Sequence, residues 1–201
     1  MRSMFVIAAS AALLSLAAPA ARANEMSFGL KAGASIPMGD FKDAVGTGFL
    51  GGVYGDYGVT PQVAVGVDIV GNFYGESSDL KDAFAAAGLP DPKASITVIQ
   101  FGVHGKWAQA VTTGPELQVG LGLYNAKPKD GDGVTKFGFN VGAGYKFWHN
   151  DAMTLGIEGS WHNITDAFES EDFVTGETTK KSAQYISVAL DLGFLTKGSS
   201  K

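Results

Sequence analysis

The 201-residue chain contains no cysteine, so its fold is built without disulfides, even in a compartment that would permit them. Arginine is nearly missing as well. The only two, Arg2 and Arg22, sit near the N-terminus. Without them the 15 basic residues fall to 13 lysines, which face 20 aspartates and glutamates, a balance of −7. An acidic, arginine-free chain argues against nucleic acid as a partner. It also lacks the guanidinium forks best suited to phosphate. Long apolar runs are missing too. Beyond the N-terminal segment none approaches the roughly 20 residues of a transmembrane helix. If the chain enters a membrane it must do so as a closed barrel, because lipid cannot satisfy open sheet edges.

The first apolar stretch reads as a targeting segment. Arg2 supplies a positive start, Phe5 to Ala18 an apolar core, and Ala21-Arg22-Ala23 a small-residue cleavage site. Residues 1–23 are therefore expected to be a cleaved secretory signal peptide. The expected domain plan is then one barrel over residues 24–195 and a polar tail over 196–201.

What the chain has in abundance is period-two patterning and 28 glycines. The clearest stretch is Lys136 to Trp148, KFGFNVGAGYKFW. Phe137, Phe139, Val141, Ala143, Tyr145 and Phe147 alternate with Gly138, Asn140, Gly142, Gly144 and Lys146. That is a strand with one greasy face and one small or polar face, long enough to cross a bilayer at a tilt. Seven more such stretches are expected: Met26–Ile36, Gly48–Tyr57, Val63–Tyr74, Ser95–Trp107, Glu116–Tyr124, Met153–Asn163 and Ser182–Leu195. Gly48–Tyr57 is the weakest by pattern. Pro37 is expected to end the first strand, since proline cannot donate to a ladder. Connections alternate long and short, with a short helix expected at Asp79 to Ala87 and an acidic fourth loop at Ile164 to Lys181. The fold class implied is all-β: an eight-stranded antiparallel up-and-down transmembrane β-barrel with longer loops at one rim.

Two arguments place the apolar face outside. An eight-stranded barrel has room only to fill itself or hold one small ligand, too little for several bulky side chains per strand. The opposite face is mostly glycine, serine and alanine with few charges, a poor solvated exterior. The strand charges all fall on that second face. A polar lumen network is expected from Lys31, Asp56, Asp68, His104, Lys106, Glu116, Lys146, Glu158 and Asp191, with opposite charges paired because buried charges must be. Aromatics on the other face fall near the strand ends: Tyr57, Trp107, Tyr145, Phe147 and Phe194 at the short-turn rim, and Phe73, Phe137 and Trp161 at the long-loop rim. They are expected at the lipid interface. Trp148 has inward parity and no evident role.

At this point the chain resembles the small outer-membrane β-barrel family, the OmpA/OmpX-like eight-stranded proteins. The resemblance rests on GLKAGASIPMGDF (Gly29 to Phe41), GFLGGVYGDYGVTPQVAVGVDI (Gly48 to Ile69), TKFGFNVGAGYKF (Thr135 to Phe147) and YISVALDLGF (Tyr185 to Phe194). It implies an exported protein of the cell outer membrane, meeting outer-membrane lipid and lipopolysaccharide, handled by barrel-assembly machinery during biogenesis, and monomeric. Members of the family serve as structural barrels, adhesins, resistance factors or lipid-modifying enzymes. Last strands there usually end the chain on an aromatic residue, whereas Phe194 is followed by seven more residues, so the assembly signal is displaced. No peptidoglycan-binding domain follows, so no cell-wall tether is expected.

Chemistry is thin. Glu158, Ser160 and His162 invite comparison with outer-membrane lipid A deacylases, but the histidine-serine-asparagine motif is absent and the order here is Trp161-His162-Asn163. Asp130-Gly131-Asp132-Gly133 resembles half a calcium loop without its distal glutamate and reads as a turn. The expected function is a structural or surface-interaction barrel with a plugged lumen, no cofactor and no enzymatic activity. The alternative is a narrow conduit.

Overall fold

The computed structural model describes residues 25–90, 95–109, 113–129, 131–171 and 178–196, with the side chains of 168–171 and 178–179 outside the description. The N-terminal segment expected to be a signal peptide lies outside the described residues. So do Asp130 and the Asp172–Glu177 part of the acidic loop.

Alternation dictates the architecture. Eight strands, β1 (Met26–Met38), β2 (Gly48–Gly58), β3 (Val63–Tyr74), β4 (Ile96–Ala108), β5 (Gly114–Pro128), β6 (Val134–His149), β7 (Met153–Glu171) and β8 (Thr178–Leu195), follow one another around a closed barrel. Every neighbouring pair is antiparallel, and β1 closes on β8 from Ser27 opposite Leu195 to Met38 opposite Gln184. Closure removes the sheet edges that an open sheet would leave unpaired. The greasy face points outward: Phe49, Val67, Val103, Val119, Leu121 and Leu190 are all exposed, whereas Asp68, His104, Lys106, Glu158 and Asp191 are buried. β2, the weakest strand by pattern, pairs along its length on both sides.

Side chains fold two of the short turns. Thr60 Oγ1 accepts from the amides of Gln62 (3.2 Å) and Val63 (3.0 Å). Asn150 Oδ1 accepts from Ala152 (2.9 Å) and Met153 (2.7 Å). Each oxygen takes amides that the turn removes from the ladder.

Several expectations need correction. Pro37 does not end β1. It pairs in register with Tyr185 on the β8 side, while pairing with β2 stops at Ser35 opposite Gly48. A proline is tolerated there because one side of the strand no longer needs its donor. The third long connection shrinks to 129–133, because β5 and β6 run further than the apolar pattern does. The fourth loop is largely a hairpin, with Phe168–Glu171 pairing against Thr178–Lys181. The register shifts between Ile164 and Phe168, where Asp166 takes φ 50°. Beyond the rim neither face meets apolar surroundings, so hydrophobic alternation cannot announce a strand.

Trp148 also finds its account. The register slips between Lys146 and Trp148, so Trp148 pairs with Leu155. The extra residue reverses the parity, and Phe147 and Trp148 both point outward, 51% and 45% exposed.

The long-loop rim carries two helical segments. α2 (Ser78–Ala86) is the expected helix, capped by Ser77 Oγ accepting from Leu80 N at 3.1 Å and stopped by Gly88 at φ 64°. α1 (Phe41–Ala44), a single turn, was not legible in the sequence.

Candidate functional site in the barrel lumen

The lumen is a lattice of large polar side chains set against glycine. Across the ladder Asp56 faces Gly66, Asp68 faces Gly102, His104 faces Gly66 and Gly120, Glu116 faces Gly144, and Asp191 faces Gly156. A Cβ at Gly66 would meet Asp56 Oδ1 and His104 Nε2, and one at Gly144 would lie 2.9 Å from Glu116 Oε1. Glycine is needed for room at Gly66, Gly102 and Gly144, where the charged partner lies across it, while the space at Gly120 is taken by Asn140 and that at Gly156 by the β6 backbone and Lys146.

Toward the short-turn rim the tier is ionic. Lys31 Nζ donates to both oxygens of Glu158, at 2.8 and 2.7 Å. Lys106 Nζ donates to Asp56 Oδ2 at 2.9 Å. Lys146 Nζ lies 3.0 Å from Glu116 Oε2. His104 bridges two carboxylates, Nε2 to Asp56 Oδ1 at 2.6 Å and Nδ1 to Asp68 Oδ2 at 2.8 Å. With an acceptor at each ring nitrogen, the geometry suits the doubly protonated imidazolium. Tyr54 is the hub. Its ring lies against Gly29, where a Cβ would strike it. Lys106 Nζ sits 4.1 Å and Lys31 Nζ 5.2 Å from its centroid, within cation–π range. Its hydroxyl donates to Asp191 Oδ1 at 2.9 Å.

Above this lies a tier of amides and hydroxyls. Gln100 Nε2 donates to Asp68 Oδ1 at 2.8 Å, and Gln118 Nε2 to Asn140 Oδ1 at 3.4 Å. A cavity of about 20 Å³ sits among Lys31, Gln100, Glu158, His162, Leu50 and Val70, a volume large enough for a single water.

The top tier, at the long-loop rim, is aromatic. Tyr185 stacks on His162 with centroids 4.3 Å apart and planes 6° apart. Tyr74 meets Tyr185 edge-on at 6.1 Å, and Phe41 of α1 meets Tyr74 edge-on at 5.3 Å. Phe41, Val45, Tyr74, Val98, Tyr124 and Tyr185 are all buried in one cluster. The α1 turn is tied down by Gly46 N to Gly75 O (3.0 Å), Ser77 Oγ to Asp43 O (2.8 Å) and Lys181 Nζ to Asp40 Oδ2 (2.8 Å).

All nine lumen residues named from the sequence thus face inward, and together they form the ionic tier. The aromatics lie on the outer face: Tyr57, Phe73, Trp107, Phe137, Tyr145, Phe147 and Phe194 are exposed, and Trp161 is partly covered by Phe139 at 5.6 Å. Sequence reading missed Tyr54 and the aromatic top tier. Parity marks Tyr54, Tyr74 and Tyr124 as inward, but nothing in one strand shows which partners a side chain reaches across the lumen. The Ser160–His162 pairing suggested by spacing does not form. Ser160 Oγ donates to Glu158 Oε1 at 3.1 Å, and His162 Nε2 meets Ser187 Oγ at 3.0 Å. That serine–histidine contact is part-buried inside the lumen, with the His162 ring stacked on Tyr185.

No protein-family model and no curated protein matches the sequence. Solved structures do match. Neisserial surface protein A superposes with a TM-score of 0.57 at 13% identity, covering 85% of this chain and 96% of that one. Ail, the attachment invasion locus protein of Yersinia pestis, gives a TM-score of 0.53 at 14% identity, covering 87% of this chain and 99% of that one. The fold is that of a small eight-stranded outer-membrane barrel. Ail in complex with the heparin analogue sucrose octasulfate matches at a TM-score of 0.50 and 14% identity, over 87% of this chain and 99% of that one. At such identities the likeness is one of fold.

Proposed function

We propose that the protein is an integral outer-membrane barrel with a structural or surface-interaction role and a lumen closed to solutes. In this reading it is exported through a cleaved signal peptide, handled by barrel-assembly machinery, and sits as a monomer among outer-membrane lipid and lipopolysaccharide. The observation that carries it is sidedness. The barrel exposes a continuous belt of Val, Leu, Ile and Phe and buries its carboxylates and ammonium groups. Soluble proteins rarely expose contiguous apolar patches beyond a few hundred Å², and a charge facing the lipid midplane costs about 2–4 kcal/mol. Tyr57, Phe73, Trp107, Phe137, Tyr145, Phe147, Trp161 and Phe194 then serve as interfacial anchors.

The closed-lumen reading is supported by the three stacked tiers, in which Lys31, Lys106, Lys146 and His104 pair with Glu158, Asp56, Glu116 and Asp68, and by Phe41 and Val45 buried at the long-loop rim. The surface role falls to α2 and the protruding β7–β8 hairpin. A polyanion such as the sulfated sugar on Ail is not the ligand proposed here, because this chain carries a formal charge of −5. A narrow conduit is the competing reading. It is favoured by the inward glycines and by a space of about 60 Å³ at the short-turn mouth beside Asp56, Lys106, Glu116 and Lys146. No catalytic role is proposed. Planar-bilayer recording of the purified barrel decides between the two: the closed-lumen reading expects no reproducible steps, and steady unitary openings overturn it. An unchanged acylation pattern of lipid A, with and without the protein, is expected by mass spectrometry.

A further inference from the structure

We propose that the outer wall of β4–β6, at the long-loop rim, is a docking site for the phosphate of a membrane lipid, with Lys127 and Lys129 as its cations and Thr97 and Thr135 beside them. This rests on the outer-membrane reading above, which turns that rim to the cell exterior. Neither ladder of β5 slips in register, so alternation carries the outward face upward from the exposed Leu121 and Leu123 to Asn125 and Lys127. Across the ladders Leu123 pairs with Phe101 and Phe137, Asn125 with Ile99 and Thr135, and Lys127 with Thr97. Lys129, one residue past the strand, still bonds Ser95 O through its amide at 2.9 Å, so the same alternation runs through it. The wall thus changes from apolar to cationic within two pair steps. Side chains directly opposite in a ladder lie about 5 Å apart, and successive positions on one face about 7 Å apart, a spacing that lets both lysines reach one phosphate. Asn125 Nδ2 donates to Thr135 Oγ1 at 2.9 Å, which leaves the Thr135 hydroxyl proton free to donate.

Charge singles this sector out. Lys31, Lys81, Lys106, Lys146 and Lys181 each hold a carboxylate. Lys127 and Lys129 are exposed and have no ion-pair partner among the described residues. The outward rim positions of the other strands are uncharged: Met38, Phe49, Phe73, Asn163 and Gln184. Asp132, in the turn, lies before β6 and has no ladder partner, and Asp130 is outside the described residues. The chain as a whole is acidic, so the two ammonium groups are a local exception that an anion can use. Lysine binds phosphate as a point charge without needing the guanidinium fork. What favours a lipid over a free anion is the surface directly below. Ile99, Phe101, Leu123 and Phe137 are all exposed, and acyl chains hanging from a phosphate at Lys127 run down over them.

The test uses the purified barrel in zwitterionic micelles with a chelator present, so that no divalent ion bridges the charges. Native mass spectrometry follows retention of diphosphorylated lipid A, of the same lipid stripped of its phosphates, and of the phosphorylated lipid in competition with inorganic phosphate. Selective retention of the phosphorylated lipid is expected, weakened by added salt. Lys127→Gln and Lys129→Gln should each weaken it about fivefold. Lys42→Gln with Lys180→Gln, which removes two exposed lysines elsewhere on the rim, should leave it unchanged, and Lys127→Arg should retain it. Equal retention by the Lys127→Gln/Lys129→Gln variant, equal retention of the stripped lipid, an equal loss in the Lys42/Lys180 control, or displacement by equimolar inorganic phosphate each overturn the proposal. Protection of an introduced thiol on the apolar belt, measured in vesicles, checks the parent reading separately: a protected belt with any of those outcomes removes the lipid site alone.

Discussion

At the scale of single residues, Tyr54 joins more of the lumen than any charge does. Its ring lies beside two ammonium groups and its hydroxyl holds Asp191. Tyr54→Phe keeps the ring contacts and removes one hydrogen bond to a charged group. Such bonds contribute about 1.5–3 kcal/mol, so urea unfolding in detergent should show a loss in that range with the barrel still formed. The Lys31–Glu158 pair supplies a second prediction. Removing one partner of a buried pair strands the other, at a cost of about 3–5 kcal/mol. Lys31→Met alone should fall in that range, and adding Glu158→Gln should recover most of it. A double-mutant cycle reads the coupling directly, and additive losses would mean the two groups are not paired in solution. The nine charged or titratable lumen residues were visible from parity alone, because a charge tolerated within a transmembrane strand has only one face to occupy. Which carboxylate each lysine takes was not visible. Lys31 and Glu158 are 127 residues apart, and their contact exists only because β1 and β7 are both neighbours of β8.

At the scale of elements, the strands were legible wherever an apolar outer face backs a small or polar lumen face. Alternation fell silent where both faces meet water, and there the sequence reading stopped short: at Tyr124 instead of Pro128, and at Asn163 instead of Glu171. It also misled where a bulge resets parity, as at Trp148. The α1 lid was hidden for a different reason. A single turn carries no periodicity, and Phe41 shows its importance only by what it touches. Phe41→Ala should therefore act locally. The predicted effect is faster hydrogen exchange at the Gly46 amide, which bonds Gly75 O, with the β4–β5 ladder unchanged. Equal protection at Gly46 in both proteins would show that Phe41 does not hold the lid.

At the scale of the whole molecule, the design inverts that of a soluble domain, with an apolar shell around an ionic interior that depends on inward glycines for its space. The chain's lack of cysteine makes this directly measurable, because any single introduced thiol is the only one present. Leu121→Cys and Val67→Cys place that thiol on the outer belt, and Ser78→Cys places it on exposed α2. With each variant folded into lipid vesicles, a membrane-impermeant maleimide should label Ser78→Cys quickly and leave the two belt positions unmodified, while a lipid-soluble maleimide labels both. Belt thiols reacting with the impermeant reagent as fast as the α2 thiol would contradict the account, for they would lie in water rather than lipid.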